Sequence, residues 1–135
     1  MSVVSRVTAT QADIPYQVVL VDDLGHTWHA DEPEDVGGGN SATTPDRLLL
    51  SALGGCTAVT VRMFANRRGW PLTGIRVELA LNPEGKPAAG TDITRRIALE
   101  GALSDEQRTA LMKVAESCPI HRILTGEVRI ATTAV

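Results

Sequence analysis

The chain has 135 residues, of which 43% are hydrophobic and 21% are charged, the proportions of an ordinary globular protein. We predict one domain spanning residues 1–135. A net charge of −3 and an aromatic content of 3% supply neither a basic surface nor a stacking platform, which argues against a nucleic-acid partner. No apolar run approaches the ~20 residues that span a bilayer, and the first residues lack the apolar block of a signal peptide. We therefore expect a cytoplasmic protein with no membrane partner.

The first thirty residues predict three short strands. Val3–Thr10, Tyr16–Val21 and His26–Ala30 are rich in β-forming residues, and Gly25 follows two aspartates in a turn. Short connections between such strands predict an antiparallel meander. Residues 31–43 are acidic and then glycine-rich, without apolar periodicity, and predict a long loop whose charges are solvated.

A long helix from Thr44 to Gly69 is predicted next. Thr44 can cap the first backbone N–H groups, Pro45 brings a preset φ, and Asp46 places negative charge in the first turn. Residues at steps of three or four predict one stripe that faces a core or an interface: Leu49, Leu53, Cys56, Thr60 and Met63.

Two glycines, Gly54 and Gly55, directly precede Cys56 in this helix. Together they cost about 1.5–2 kcal/mol of helix stability relative to alanine, so a compensating role is expected. Glycine allows either the close approach of another backbone or room for a substrate beside the next side chain. The alternative is a tightly packed helix crossing with a buried, inert cysteine.

The following segment predicts a β-hairpin. Ile75–Leu81 alternates apolar and polar residues, Asn82–Asp92 is rich in turn residues, and a second alternating strand follows. In that strand one face carries Ile93, Arg95, Ile97 and Leu99, and the other carries Thr94, Arg96 and Ala98.

Two further helices and a last strand complete the α+β class. Ser104 and Gln107 form a capping-box pattern that opens a helix ending near Ser117. Cys118 then stands at the cap position of a short helix whose first residue is a proline. Glu127–Thr133 predicts a closing strand.

The two cysteines carry the candidate chemistry. In a reducing compartment a distant pair is typical of redox or metal chemistry rather than of a permanent disulfide. Cys118 at a helix N-terminus meets unpaired backbone donors that lower a thiol pKa, with His121 on the same side. A second thiol within reach can convert a sulfenic acid into a disulfide. The alternative is that Cys118 is only a cap and His121 only a surface residue.

Two other interpretations of the cysteines, a metal site and a hydrolase, have less support in the sequence. Cys118 and His121 form a C-x-x-H pattern to which Cys56 adds a third group, but a zinc site usually takes four ligands, or three and a water. We therefore predict no metal and no cofactor. A Cys–His hydrolase is not indicated, because nothing marks an oxyanion hole or a residue that orients the base.

The segments PDRLLLSALGGCTAVTVRMFANRRGWPL and ESCPIHRILTG resemble the OsmC/Ohr family of peroxide-reducing thiol proteins, in particular its OsmC-like branch. The resemblance implies an OsmC-like α+β fold with antiparallel sheets around a long central helix, and an intertwined homodimer with active sites at the interface. It also implies Cys56 as the peroxidatic nucleophile, Cys118 as the resolving cysteine, organic hydroperoxides as substrates and an external thiol or dithiol, such as a lipoyl protein, as reductant.

A carboxylate ten residues before the first cysteine is also part of the family pattern. Asp46 stands there in place of the family's glutamate, and the resemblance implies a catalytic role for it. The family pairs this carboxylate with an arginine from the N-terminal half, but this chain has no arginine between Arg6 and Arg47. Other candidates for the cation are Arg62, Arg67, Arg68, His26 and His29. Ten helical residues span about 15 Å, so cooperation between Asp46 and Cys56 requires a second subunit.

The predicted function is a thiol-dependent peroxidase in which a Cys56 sulfenic acid is resolved by Cys118. The alternative is a non-catalytic or redox-sensing dimer that binds a small apolar ligand at its interface.

Overall fold

The computed structural model describes residues 4–11 and 13–135. Val3, the first residue of the first predicted strand, lies outside the described residues. The chain divides into two compact units, Met1–Leu49 and Leu50–Val135. The single domain expected from chain length stays a prediction.

The first unit contains a three-stranded antiparallel sheet. Its strands are β1 (Val7–Gln11), β2 (Val18–Asp22) and β3 (Thr27–Ala30), in the order β1-β2-β3. The side chain of Asp22 accepts hydrogen bonds from the backbone N–H groups of two residues in the β2–β3 turn, and Gly25 adopts a φ of 91° there. These interactions close the hairpin. The predicted meander is therefore confirmed.

The loop after β3 is organised by a buried carboxylate. Asp31 is fully buried, and its Oδ2 accepts hydrogen bonds from the hydroxyl and the backbone N–H of Ser41 at 2.6 and 3.0 Å. Its Oδ1 accepts the backbone N–H of Glu32 at 2.8 Å and that of Gly39 at 3.5 Å. A single 3₁₀ turn, Glu34–Val36, interrupts the loop. The prediction of a solvated loop is wrong for Asp31, because its side chain binds the two ends of the loop together.

The long helix α1 (Pro45–Arg68) has the predicted position but not the predicted buried face. Its buried residues lie four apart: Leu53, Thr57, Val61 and Ala65. Of the predicted stripe only Leu53 is buried. Cys56 and Thr60 are half-buried, whereas Leu49 and Met63 are 42% and 51% exposed. The helix is apolar on most of its circumference, so sequence spacing could not identify the side that packs within the chain.

The paired glycines of α1 have different surroundings. A Cβ at Gly54 would lie 2.7 Å from Cδ1 of Leu79, so the missing side chain lets the helix approach the following hairpin. A Cβ at Gly55 would have no neighbour within 4 Å. The predicted close approach is thus found at Gly54, where the neighbour is a side chain rather than a backbone.

The second unit is built on the predicted hairpin. Its strands are β4 (Leu72–Leu81) and β5 (Ile93–Gly101), which pair antiparallel. Then follow α2 (Asp105–Val114), a 3₁₀ turn (Ala115–Ser117) and α3 (Pro119–Thr125). The hydrophobic core joins the inner face of the hairpin to α1 and α2 and is centred on Val61, Ala65, Leu72, Leu111 and Ala115.

The predicted closing strand, Glu127–Thr133, is absent. The described residues after α3 form no strand, and all of residues 122–135 are exposed. A strand requires a neighbouring strand to accept and donate its ladder hydrogen bonds, and no described segment of this chain takes that place.

Helix α1 also has the dimensions of a membrane span. An 18-residue window of this 24-residue helix has a mean hydropathy of 1.6, and 22% of the window is buried. The prediction that no segment is long and apolar enough to span a membrane is therefore wrong, as judged by length and composition. One such helix is weak evidence for a membrane, because the core helix of a soluble protein has the same properties.

The buried carboxylate of Asp31 predicts an acid-dependent stability. Hydrogen bonds from the Ser41 hydroxyl, the Ser41 N–H and the Glu32 N–H lower the pKa of Asp31 from 3.8 to about 2. A lowered folded-state pKa stabilises the protein above pH 3.8, and this stabilisation is lost as the pH falls through about 2. We expect Asp31→Asn to lower the free energy of unfolding at neutral pH. The difference in unfolding free energy between wild type and variant should become smaller as the pH falls from 3.8 to about 2. Urea denaturation over a pH series measures it, with exposed Asp35→Asn as control; a constant difference would contradict the assignment.

Candidate active site

The fold brings the two cysteines together from opposite ends of the second unit. Cys56 lies on α1 and is half-buried, and Cys118 lies just before α3 and is fully buried. Both are free thiols, and they are close enough to share a hydrogen bond. The pair that sequence analysis selected therefore forms one site within a single chain.

The position of Cys118 follows from the local sequence. Pro119 cannot donate a backbone hydrogen bond and favours the first position of a helix, so α3 begins there and Cys118 becomes its N-cap. The backbone N–H of His121 donates to the Cys118 Sγ at 3.4 Å. The sulfur thus takes the place that a serine or aspartate oxygen usually occupies at a helix cap.

The two thiols differ in acidity. Burial raises the pKa of Cys56, and the hydrogen bond that its thiol donates to Cys118 raises it further. Burial alone would raise the pKa of Cys118 as well, but donation from Cys56 and from the backbone N–H groups of His121 and Ile120 lowers it below its usual value. Cys118 is therefore the more acidic thiol of the pair.

A network of three further side chains surrounds the pair. Nη1 of Arg95, on β5, donates to the Thr57 Oγ1 at 3.0 Å, and its Nη2 lies 2.9 Å from the His121 Nδ1. The Thr57 hydroxyl lies 2.7 Å from the carbonyl oxygen of Leu53, to which it donates. Sequence analysis did not include Arg95 in the site. The sequence nevertheless indicated that Arg95 is unusual, because it is an arginine on the apolar face of an alternating strand.

A pocket of about 540 Å³ adjoins this network in the second unit. Arg95 and His121 belong to its wall as well as to the network, so the pocket lies beside the thiol pair. Its other lining residues come from α1, the β4–β5 hairpin and α3: Leu53, Pro83, Glu84, Thr91, Asp92, Ile93, Thr94, Leu124 and Thr125. The apolar members among them suit an organic group of modest size.

Asp46, the third predicted site residue, is engaged in the cap of α1. Its Oδ1 accepts hydrogen bonds from the Thr44 hydroxyl and, at 3.0 Å, from the backbone N–H of Arg47. These bonds lower the pKa of Asp46, led by the bond from Thr44. The Arg47 guanidinium lies 3.9 Å from the carboxylate. The observed role of Asp46 is therefore local to the first helical turn.

The cations proposed from the sequence have other surroundings. The guanidinium of Arg62 donates to the carbonyl oxygen of Leu72, and that of Arg68 lies 4.9 Å from the Phe64 ring centre. His26 contacts Asp22 at 2.9 Å. Arg67 and His29 are exposed. The arginine that the fold places in the thiol network is Arg95.

Metal binding has no support in the described geometry. Within residues 4–11 and 13–135, no group of three or more His, Cys, Asp and Glu side chains is arranged to hold an ion.

An α+β fold in which a long helix presents one cysteine to a second cysteine at a later helix cap defines a two-cysteine thiol protein. The chain belongs to the OsmC-like protein family, whose family model matches residues 38–133. The resemblance described above is thereby confirmed. None of the curated proteins compared with the chain matches it in sequence.

Solved structures of this family have the same fold. An OsmC-like protein from Mycoplasma pneumoniae gives a TM-score of 0.78 at 18% identity, covering 93% of this chain and 90% of that one. The organic hydroperoxide resistance protein OsmC from Legionella pneumophila gives 0.69 at 20% identity, covering 92% and 90%. An organic hydroperoxide resistance protein from Elizabethkingia anophelis gives 0.69 at 15% identity, covering 93% and 91%. The predicted α+β fold, with antiparallel sheets and a long central helix, is confirmed.

The unequal acidity of the thiols leads to a testable order of ionisation. We expect the first thiol of the folded protein to ionise below the ordinary value of 9.0, and Cys118→Ala to remove that step. Cys56→Ala should raise the pH at which Cys118 ionises, because the S–H donor is lost. Far-ultraviolet thiolate absorbance over a pH series measures both, with circular dichroism as the control for folding. An unchanged first ionisation in Cys118→Ala would contradict the assignment.

Proposed function

We propose that this chain is a thiol-dependent peroxidase that reduces organic hydroperoxides. The observation that carries the proposal is the pair of neighbouring thiols, of which Cys56 is half-buried and Cys118 is buried and more acidic. Membership of the OsmC-like family supports it, as does the likeness to proteins named for organic hydroperoxide resistance.

The first step oxidises Cys56. Its sulfur attacks the terminal oxygen of the hydroperoxide, the O–O bond breaks, and the sulfur becomes a sulfenic acid. The thiol proton of Cys56 passes to the departing alkoxide, which leaves as an alcohol. Cys118 accepts the Cys56 S–H as a hydrogen bond before this step, which raises electron density on the attacking sulfur.

The second step joins the two cysteines. The Cys118 thiolate attacks the sulfenic sulfur of Cys56, the S–S bond forms, and hydroxide leaves and takes a proton from solvent to give water. Because Cys118 is already the more acidic thiol, it is available as the nucleophile without further activation. An external thiol or dithiol then reduces the disulfide by exchange and is itself oxidised to a disulfide.

The pocket beside the thiol network suits the organic portion of the substrate. Its volume is about 540 Å³, and Leu53, Ile93 and Leu124 contribute apolar surface. Hydrogen peroxide has no group to fill such a space and gains no binding energy from it. We therefore propose that organic hydroperoxides are preferred over hydrogen peroxide.

The peroxidase is tested by stopped-flow oxidation with cumene hydroperoxide and with hydrogen peroxide. We expect a faster reaction with cumene hydroperoxide, and Cys56→Ser should lower its rate by roughly a thousandfold or more, because the nucleophile is lost. Mass spectrometry after one peroxide equivalent should show a Cys56–Cys118 disulfide, lighter by two hydrogens. Cys118→Ser is the matched control, in which the sulfenic acid forms but the disulfide does not. An unchanged mass in wild type would favour the non-catalytic, ligand-binding alternative.

We also propose that the protein forms a homodimer through the second apolar face of α1. Alongside the buried face, the helix exposes small and apolar residues at steps of three and four: Ala52, Gly55, Val59 and Met63. Val59 is 57% exposed and Met63 51% exposed. A helix that is apolar on both sides is usually covered on both sides, and the open space beside Gly55 admits a closely packed neighbour. A second copy of the chain satisfies this requirement symmetrically.

The dimer is tested by sedimentation velocity. Val59→Asp should raise the dissociation constant by roughly a hundredfold or more, because the interface would bury an unpaired carboxylate. Leu24→Asp, at an exposed turn, serves as the control for adding a charge to an exposed apolar site and should leave assembly unchanged. A wild-type protein that remains monomeric at high concentration would overturn the dimer proposal.

A further inference from the structure

Arg95 occupies a position that packing alone does not explain. It lies half-buried on the inner face of β5, the face that also carries Ile97 and Leu99 of the core surroundings. Removing a guanidinium from water is unfavourable unless hydrogen bonds replace its hydration. The next residue, Arg96, points to the opposite face, has a side chain that is 85% exposed and pairs with Glu78.

The two partners of Arg95 belong to the two helices that carry the cysteine segments. Thr57 is fully buried on α1 and directly follows Cys56, while His121 lies on α3 three residues after Cys118. The guanidinium contacts Thr57 Oγ1 at 3.0 Å and His121 Nδ1 at 2.9 Å. One side chain from β5 therefore links both halves of the thiol site.

These contacts fix the orientation of both partners. A guanidinium only donates hydrogen bonds, so His121 accepts at Nδ1 and its neutral ring carries the proton at Nε2. The Thr57 oxygen likewise accepts from Arg95, and its hydroxyl donates to the Leu53 carbonyl oxygen, so these two contacts fix the Thr57 side chain beside Cys118. The backbone N–H of His121 donates to the same sulfur at 3.4 Å.

The charge of Arg95 is directed at this network rather than at an acid. Among residues 4–11 and 13–135, the ion pairs involve other cations, and no carboxylate pairs with Arg95. The ionisable or charged groups in contact with Cys118 or its partners are Cys56, Arg95 and His121. Glu84 and Asp92 line the neighbouring pocket.

We propose that Arg95 is the positioning residue of the resolving step: it holds Thr57 and His121 around the Cys118 sulfur and thereby speeds disulfide formation. This role rests on the proposed peroxidase function for its chemistry. In that step the Cys118 thiolate forms the S–S bond with the sulfenic sulfur of Cys56, and hydroxide departs and is protonated by solvent. Arg95 acts through its two partners, so its loss affects resolution more than the first attack on peroxide.

The test compares Arg95→Met with Arg96→Met, the same change on the opposite face of the same strand. After one equivalent of cumene hydroperoxide, Arg95→Met should form the Cys56 sulfenic acid within about threefold of the wild-type rate. Disulfide formation should slow by about tenfold or more, the usual effect of losing a hydrogen bond to a charged group. Excess peroxide should then convert more of Cys56 to the sulfinic acid, which mass spectrometry detects. Arg96→Met should behave as wild type, and Arg95→Lys should recover part of the rate.

A second readout separates this inference from the peroxidase itself. Thiolate absorbance without peroxide should show Cys118 ionising at higher pH in Arg95→Met than in Arg96→Met. If the protein does not react with peroxide but Cys118 still ionises at higher pH in Arg95→Met, the proposed function is overturned. The role of Arg95 at the thiol pair is then supported. Equal ionisation and equal disulfide rates in the two variants would overturn that role. If Arg95→Met does not fold, Thr57→Val, which removes the linking hydroxyl, takes its place with the same expected changes.

Discussion

The close approach of Cys56 and Cys118 requires α1 and the turn before α3 to meet, and the inner face of β5 supplies Arg95 beside them. Cys118 is fully buried, so its thiolate has no bulk water to stabilise it and depends on the donors around it. Those donors come from Cys56 and from the start of α3, and Arg95 holds His121 and Thr57 beside them. Each contact is weak or ordinary in isolation. Their convergence on one sulfur makes the two thiols unequal.

Unequal thiols suit a cycle that uses them in turn. The half-buried cysteine is the less acidic thiol, and Leu53, three residues before it on α1, lines the neighbouring pocket. The buried cysteine is the more acidic thiol, and its burial shields it from direct attack by bulky oxidants. An acidic thiol that is inaccessible to peroxide but adjacent to the first site of oxidation is protected from over-oxidation and ready for disulfide formation.

Helix α1 has two apolar faces with different surroundings, which explains its composition. Its face at Val61 and Ala65 packs in the hydrophobic core, while the face at Val59 and Met63 remains exposed in the single chain. Because both faces are apolar, the helix has the hydropathy of a membrane span. The homodimer that we propose would cover these exposed apolar residues, which recur at regular helical spacing beside a glycine with open space. Residues 127–135 also form no β-ladder hydrogen bonds with any described segment of this chain, as expected of a segment that pairs with another chain.

Local signals in the sequence determined the elements and their ends. Pro45 begins α1, Ser104 caps α2, and Pro119 makes Cys118 a helix cap, because each acts through atoms within one turn of its own position. The predicted cap by Thr44 takes another form, because its hydroxyl donates to the Asp46 carboxylate instead of accepting a backbone N–H. The two cysteines were likewise recognisable from the chain. Tertiary structure alone decided which face of α1 is buried, since apolar residues lie on more than one side of this helix. It also decided that Asp31 is buried and that Arg95 joins the thiol site, because the partners of both side chains are distant in sequence and meet them only when the chain packs.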